Sequence, residues 1–217
     1  MLDTLFLSMR FPNNDRMVRY DSLPHILFSE TLISGSVSNR GKKYSQMHGA
    51  SFGWAQDLPM TKKGDTHETI SLLFKRVGVP PEIIVDRAKE QILGKFNNKL
   101  KEANFHLRHT KTYSLWSNAV EGTIHEAKKG SSRKIICTGY PKKLWYHCLE
   151  LEALICSNTA LDIYMLYGEV PETVMKGQAS DISHIWEFFC YQWVMFRDVH
   201  VQYPADNLVL GHYLGPA

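Results

Sequence analysis

The hydrophobic and polar positions after residue 22 predict three consecutive strands joined by turns. Residues 25–32 form a short apolar run, and residues 43–48 and 52–58 match two further strands on either side of Gly49. The segment GSVSNRG at 35–41 contains glycine, serine and asparagine, which are typical of a hairpin connection. We therefore expect these three strands to form an antiparallel meander.

The pattern then changes to the helical period and begins to alternate between helices and strands. Ile70, Leu73 and Val77 recur at helical spacing. They predict a helix over 66–77, which Gly78 ends. The further predicted elements are a strand at 82–86, a helix at 88–103, a strand at 105–109, and helices at 118–136 and 142–158.

This order of elements predicts an α/β fold with a ribonuclease-H-like mixed five-stranded sheet flanked by helices. In that topology the first and fourth strands lie adjacent and parallel. Beyond about residue 158 the pattern becomes loop-like, with two short strand-like runs at 191–196 and 208–214. We therefore divide the chain into an irregular segment at 1–22, a ribonuclease-H-like core at 23–160 and a small C-terminal extension with short strands at 161–217.

Composition narrows the class of protein. The chain has 217 residues, and its hydrophobic fraction of 44% is enough to form a globular core. Its formal net charge is only +3, so the total charge alone does not indicate nucleic-acid binding. Its four cysteines lie far apart without a Cys-x-x-Cys spacing, which predicts free thiols in a reducing, intracellular setting. No apolar run approaches about 20 residues, so we expect no transmembrane helix.

Three acidic residues fall at the ends or starts of predicted elements. Glu30 lies at the end of the first strand, Asp86 ends the fourth, and Glu121 is in the first turn of the helix at 118–136. Parallel neighbouring strands would place Glu30 and Asp86 side by side, and the helix after the fifth strand would bring Glu121 against them. Each acid also has an ordinary structural explanation. Glu30 could be a strand-end acid that faces solvent, Asp86 a helix N-cap, and Glu121 a first-turn acid favoured by the helix dipole.

Six segments in order resemble the integrases of copia-type retrotransposons. They are ETLISGSVSNRG, FGWAQDLPMTKKGDTHETISLLF, VPPEIIVDRAKEQ, YSLWSNAVEG, VPETVMKGQASDISHIWEF and LVLGHYLGP. The resemblance runs from about Pro24 to the C-terminus. It implies a polynucleotidyl transferase that processes the ends of element DNA and joins them to target DNA.

The resemblance also implies site residues, a cofactor and partners. Glu30, Asp86 and Glu121 would be the catalytic and metal-binding acids, holding Mg²⁺, or Mn²⁺ in its place, because two such ions need shared anionic oxygens to clamp a phosphodiester. Double-stranded DNA, from the element ends and the target, is the expected partner. A homo-oligomer without membrane association is expected, in the nucleus or in virus-like particles.

The DNA contacts we expect fall in two places. Tyr113 and Asn118, in the loop before Glu121, follow from the resemblance, and Lys89 lies beside Asp86. The second place is the stretch 124–143, which is strongly basic and contains Lys128, Lys129 and Arg133. A cationic surface beside an acidic site suits a phosphate-backbone binder, and a solvated helix face is the plain alternative.

The sequence also departs from the family pattern, and the departures leave alternatives open. Glu30 stands where the family has Asp, and Leu115 stands where the loop usually has Pro. The loop before Glu121 is one residue shorter than in many integrases, so Glu126 is an alternative third ligand. No His-His-Cys-Cys zinc module is found. A catalytically silent, DNA-binding or structural remnant is therefore the second hypothesis, and a stand-alone ribonuclease-H-like nuclease is the third.

Overall fold

The computed structural model describes residues 22–85, 95–102, 106–109, 120–201 and 208–216. Within these ranges the strands are β1 (Leu27–Ile33), β2 (Tyr44–Gly49), β3 (Ala55–Met60), β4 (Glu82–Val85), β5 (His106–His109), β6 (Trp193–Arg197) and β7 (Leu208–His212). The helices are α1 (Thr66–Arg76), α2 (Lys95–Glu102), α3 (Val120–Thr138), α4 (Trp145–Asn158), α5 (Pro171–Lys176) and α6 (Ser183–Trp186). Single 3-10 turns lie at Lys63–Asp65, Lys142–Leu144 and Tyr164–Leu166.

Five strands form one mixed sheet in the order β3-β2-β1-β4-β5. The pairs β1–β2 and β2–β3 are antiparallel, whereas β1–β4 and β4–β5 are parallel. This arrangement confirms the predicted ribonuclease-H-like mixed sheet, including the adjacent, parallel first and fourth strands.

The starts of β3 and α4 each lie three residues after the predicted ones, because a local hydrogen bond closes a turn first. The Ala50 amide donates to the Trp54 carbonyl at 2.9 Å, and Gly53 in between has φ +93. This turn delays β3 to Ala55, three residues after the predicted start. Similarly, the Leu144 amide donates to the Pro141 carbonyl at 2.8 Å. That 3-10 turn precedes α4, so the α-helix starts at 145 rather than 142.

Each face of the sheet packs against a different pair of helices. One face contributes Leu27, Leu58 and Ile83 to a buried cluster with α1 and α2, where Ile70 and Phe96 are almost fully buried. The other face contributes a cluster with α3 and α4, made of Phe28, Leu32, Met47, Ala55, Ile84, Ile124, Ala127, Leu149 and Ala153. Burial of apolar area on both faces provides the driving force that holds the sheet between its helices.

The segment beyond α4 has a part that packs into the core and a part that is largely exposed. Leu166 and Met175 belong to the same buried cluster as α1 and α2. In contrast, β6 and β7 form a separate antiparallel pair in which Trp193 and Met195 are 61% and 65% exposed. No helix in the described part of the chain combines the length and apolarity needed to cross a membrane. The proposed division at residue 161 stays a prediction.

Candidate active site

Glu30 lies in the middle of β1 and not at its end as predicted, because the pairing of β1 with β2 continues to Ile33. It is on the sheet face that packs against α3 and α4. It alternates with Phe28 and Leu32, which are both in the cluster on that face, and its cross-strand partner is Met47. The Glu30 side chain is half-buried. The carboxylate is therefore presented on the helix-covered face near the centre of the sheet.

Two hydrogen bonds on the opposite face hold the β1 residues on either side of Glu30. The Gln46 amide Nε2 donates to Ser29 Oγ at 2.6 Å, and Thr31 Oγ1 donates to Gln46 Oε1 at 2.7 Å. Gln46 is fully buried. One buried amide thus restrains both neighbours of Glu30, a positioning contact that the sequence analysis did not identify because it links residues 15 and 17 positions apart.

The parallel register of β1 and β4 is the geometric basis of the predicted acidic site. The described pairs run Leu27 with Ile83, Phe28 with Ile84, and Ser29 with Val85. Glu30 follows Ser29 in the sequence, and Asp86 follows Val85. Asp86 itself lies outside the described residues, as do Lys89, Tyr113 and Asn118.

Glu121 lies in the first turn of α3 and is exposed. It is three residues before Ile124, which is buried against the sheet face that carries Glu30. Residues three apart are neighbours on a helix surface, so Glu121 flanks the side of α3 that meets the sheet. The alternative ligand, Glu126, forms an ion pair with Lys129 at 3.6 Å on the exposed surface.

The predicted basic residues of α3 are solvent-facing. Lys128, Lys129 and Arg133 are all exposed. Lys128 also lines a cavity of about 480 Å³ between α3, α4 and the end of β1. Lys134 differs from them, because its ammonium pairs with the buried carboxylate of Glu152 on α4. Of these four cations, Lys128 and Arg133 are the two without an ion pair to a described residue, because Lys129 pairs with Glu126.

Two further acids, Asp57 on β3 and Glu150 on α4, lie on the same side of the sheet as Glu30. Neither was predicted from the sequence. Asp57 on β3 is opposite Met47, which is itself opposite Glu30. Burial raises the pKa of Asp57 well above its usual range, against the lowering effect of a 2.6 Å hydrogen bond from Ser45. Burial likewise raises the pKa of Glu150 on α4 to about 7. The hydrogen bond between Ser45 and Asp57 joins β2 to β3 on this face of the sheet.

The described residues alone do not bring a metal site together. Among them, no three histidine, cysteine, aspartate or glutamate side chains lie close enough to hold a metal ion. Glu30 and Glu121 are in the described part, and the expected third ligand, Asp86, is outside it. The predicted set of three acids therefore stays a prediction, with the β1–β4 register in its favour.

The comparisons with known proteins find similarity in fold. No protein-family model matches the chain, and no curated protein matches it by sequence. A chain of the cryo-EM structure of the simian T-cell lymphotropic virus intasome in complex with PP2A regulatory subunit B56 gamma is similar, with a TM-score of 0.58 and 12% identity. That match covers 75% of this chain and 60% of the simian virus chain, so this chain spans less than two thirds of that relative.

The crystal structure of the catalytic core domain of BIV integrase is also similar. Its TM-score is 0.54 at 12% identity, and the match covers 70% of this chain and 93% of that domain. Likeness at this level of identity shows the fold, which is that of an integrase catalytic core.

Proposed function

We propose that this chain is the catalytic core of a copia-type retrotransposon integrase, which processes DNA ends and transfers them into target DNA. The observation that carries the proposal is the parallel pairing of Ser29 with Val85, the residues that precede Glu30 and Asp86. Two acids at matching positions on adjacent parallel strands suit a shared metal site. The fold of the BIV integrase catalytic core supports the same conclusion.

In this proposal Glu30, Asp86 and Glu121 hold Mg²⁺, with Mn²⁺ as a substitute. The bound ions would activate a water or a terminal 3′-hydroxyl and stabilise the leaving oxygen at the scissile phosphate. The chain's own contribution is to position the three carboxylates. Gln46 restrains β1 on both sides of Glu30 through Ser29 and Thr31, and α3 carries Glu121 on its sheet-flanking side.

The DNA-binding surface in this proposal is the exposed side of α3. Lys128, Lys129 and Arg133 follow Glu121 along the helix and are all exposed, so they can meet phosphates next to the acidic site. Lys89, Tyr113 and Asn118 complete the proposed contacts from sequence. Double-stranded DNA is the proposed substrate, and a homo-oligomer is the proposed working form.

A second candidate function rests on Glu30 itself. The family uses Asp at this position, and the extra methylene of Glu moves the carboxylate by more than the roughly 0.5 Å that catalytic constellations tolerate. A silent remnant that retains the fold and binds DNA is therefore the alternative. It predicts DNA binding without metal-dependent chemistry.

The first experiment is a melting curve with and without millimolar Mg²⁺ or Mn²⁺, in the presence of a short DNA duplex, on wild type, Asp86→Asn and Glu126→Gln. The active core predicts a metal-dependent rise in Tm that Asp86→Asn abolishes and Glu126→Gln leaves intact. A strand-transfer assay with the same duplex then tests activity. DNA binding without a metal response in any variant would support the remnant instead.

A further inference from the structure

A cavity of about 840 Å³ lies against β3, the strand at one end of the five-stranded sheet. Its walls come from β3, from α4 and α5, from the end of α1 and from the tail after β7. The Ala55 amide on β3 donates to Ser157 Oγ on α4 at 2.9 Å, which holds two of these walls together. Strand β2 separates β3 from β1, so the cavity is distinct from the proposed acidic site.

The Asp57 carboxyl lines this cavity and has one oxygen without a hydrogen-bond donor. Asp57 is only 3% exposed. Its Oδ1 accepts the hydrogen bond from Ser45, whereas its buried Oδ2 has no partner among the described residues. The neighbouring Gln56 Oε1, which is also part of the lining, is likewise buried without a described partner. Because buried acceptors are normally paired, these two oxygens indicate a ligand that brings hydrogen-bond donors.

Glu150 on α4 adds a second carboxyl to the lining. His147 Nδ1 lies 3.6 Å from Glu150 Oε2, but burial lowers the pKa of His147, so its ring is neutral at pH 7. Lys176 also lines the cavity and is already paired with Glu172. Arg76 is exposed at the end of α1, where solvent screens its charge. Within the described part of the chain, the two carboxyls therefore have no buried countercharge.

Apolar side chains make up another part of the wall. Trp54 and Leu151 are buried, Leu154 is half-buried, and all three line the cavity. Gly215 in the tail packs against the same helix, since a Cβ at this position would lie 3.7 Å from Leu151 Cβ. A cavity with an apolar wall and a few convergent polar groups suits a small organic ligand.

We infer that this cavity is a second binding site, which takes a small organic cation with its ammonium group against Asp57 and Glu150 and its apolar body against Trp54 and Leu151. The ammonium supplies N–H donors for Asp57 Oδ2 and the countercharge for both acids. Burial raises the pKa of both carboxyls. A bound cation favours their charged forms, so binding displaces their protons.

Three probes of nearly the same shape test the inference on the full chain: benzylammonium, benzyl alcohol and benzoate. Titrations followed by heteronuclear NMR should show saturable binding of benzylammonium with a Kd of about 1 mM. The shifted backbone amides should fall within 54–57 and 147–157. Benzyl alcohol should bind at least about tenfold more weakly, because it lacks the charge-assisted hydrogen bonds, and benzoate should show no saturation.

The matched variants are Asp57→Asn and Glu150→Gln, which keep the shape of each side chain and remove its charge. Each should raise the Kd of benzylammonium by about tenfold or more. Glu150 is half-buried, so Glu150→Gln retains the test if Asp57→Asn does not fold, as judged by its melting curve. The control Glu169→Gln removes an exposed acid outside the lining and should bind as wild type does.

Three results would overturn the inference. The first is the absence of saturable binding of benzylammonium, or shifts that map to another surface, which would leave the cavity to water. The second is equal affinity for benzylammonium and benzyl alcohol, which would show that the cavity selects only an apolar body. The third is wild-type affinity for benzylammonium in either carboxyl variant that folds.

Discussion

The indole N–H of Trp54 donates a 2.6 Å hydrogen bond to the carboxylate of Glu172, a residue 118 positions away. Both side chains are buried, and Lys176 one turn along α5 forms an ion pair with the same carboxylate. This contact joins the turn before β3 to α5, and with it the segment beyond residue 161 to the core.

Replacing Glu172 by Ala should destabilise the fold, because it leaves the buried Trp54 N–H without an acceptor. We expect a loss of about 1–3 kcal/mol in the free energy of unfolding, measured by urea denaturation. Glu169→Ala, which removes an exposed acid in the same region, is the control and should cost under about 0.5 kcal/mol. Equal stability of the two variants would show that the contact is not structural.

The main elements of the fold were predictable because hydrophobic periodicity is local. The five strands of the sheet and α1 were found within about three residues of their observed ends. The helix α5 was not predicted, because its six residues are too few to show a period. Its signals were Pro171 at the first turn and Gly177 just after the end, where Gly177 has φ +72.

The candidate site was predictable only as far as topology could place it. Parallel pairing of the first and fourth strands follows from element order, and it places Ser29 beside Val85, the residues that precede Glu30 and Asp86 in the sequence. The contacts between Gln46 and Ser29, and between Trp54 and Glu172, depend on side chains that meet across the fold. No periodic signal in a single sequence reports such contacts.

Acid should destabilise the protein through His48, which is fully buried on β2 with neither ring nitrogen hydrogen-bonded to a described residue. Burial lowers its pKa from 6.5 to about 3. The unfolded chain therefore binds more protons between these pH values, and stability falls as pH drops below about 6.5. This single group contributes a loss on the order of a few kcal/mol by pH 3.

Replacing His48 by Phe removes that titration, so the variant should lose less stability than wild type between pH 6.5 and pH 4. Chemical denaturation at each pH gives the difference. Glu150 acts in the opposite direction, since its raised pKa makes stability fall as pH rises toward 7, but it is present in both proteins and cancels. The control variant His125→Phe changes an exposed histidine, and its stability should depend on pH as in wild type. Parallel curves of stability against pH for all three proteins would show that His48 does not cause the loss in acid.

Glu30→Asp should raise metal-dependent strand transfer if the proposed site is active. The shorter side chain restores the ligand type of the family, and a misplacement of about 1 Å can cost roughly 100-fold in rate. We expect an increase of about tenfold or more in single-turnover rate with Mg²⁺. Asp86→Asn should abolish whatever activity wild type has.

Glu30→Ala is the companion variant for folding. In the proposed site the three carboxylates lie together, and removing one of them relieves like-charge repulsion. The Tm without metal should therefore stay equal or rise while activity is lost. If neither Glu30→Asp nor Asp86→Asn changes the rate, these acids do not perform the chemistry.

The exposed cations of α3 should govern the salt dependence of DNA binding. Lys128 and Arg133 are both exposed and carry no ion pair with a described residue. Each phosphate contact that is lost lowers the slope of log K against log salt concentration by about 1. The double variant Lys128→Ala/Arg133→Ala should therefore bind a duplex more weakly, with a slope smaller by about 2, in fluorescence anisotropy titrations at several salt concentrations.

The control variant is Lys75→Ala, on the exposed surface of α1, which should leave the slope unchanged. Equal slopes for all three proteins would place the DNA on another surface.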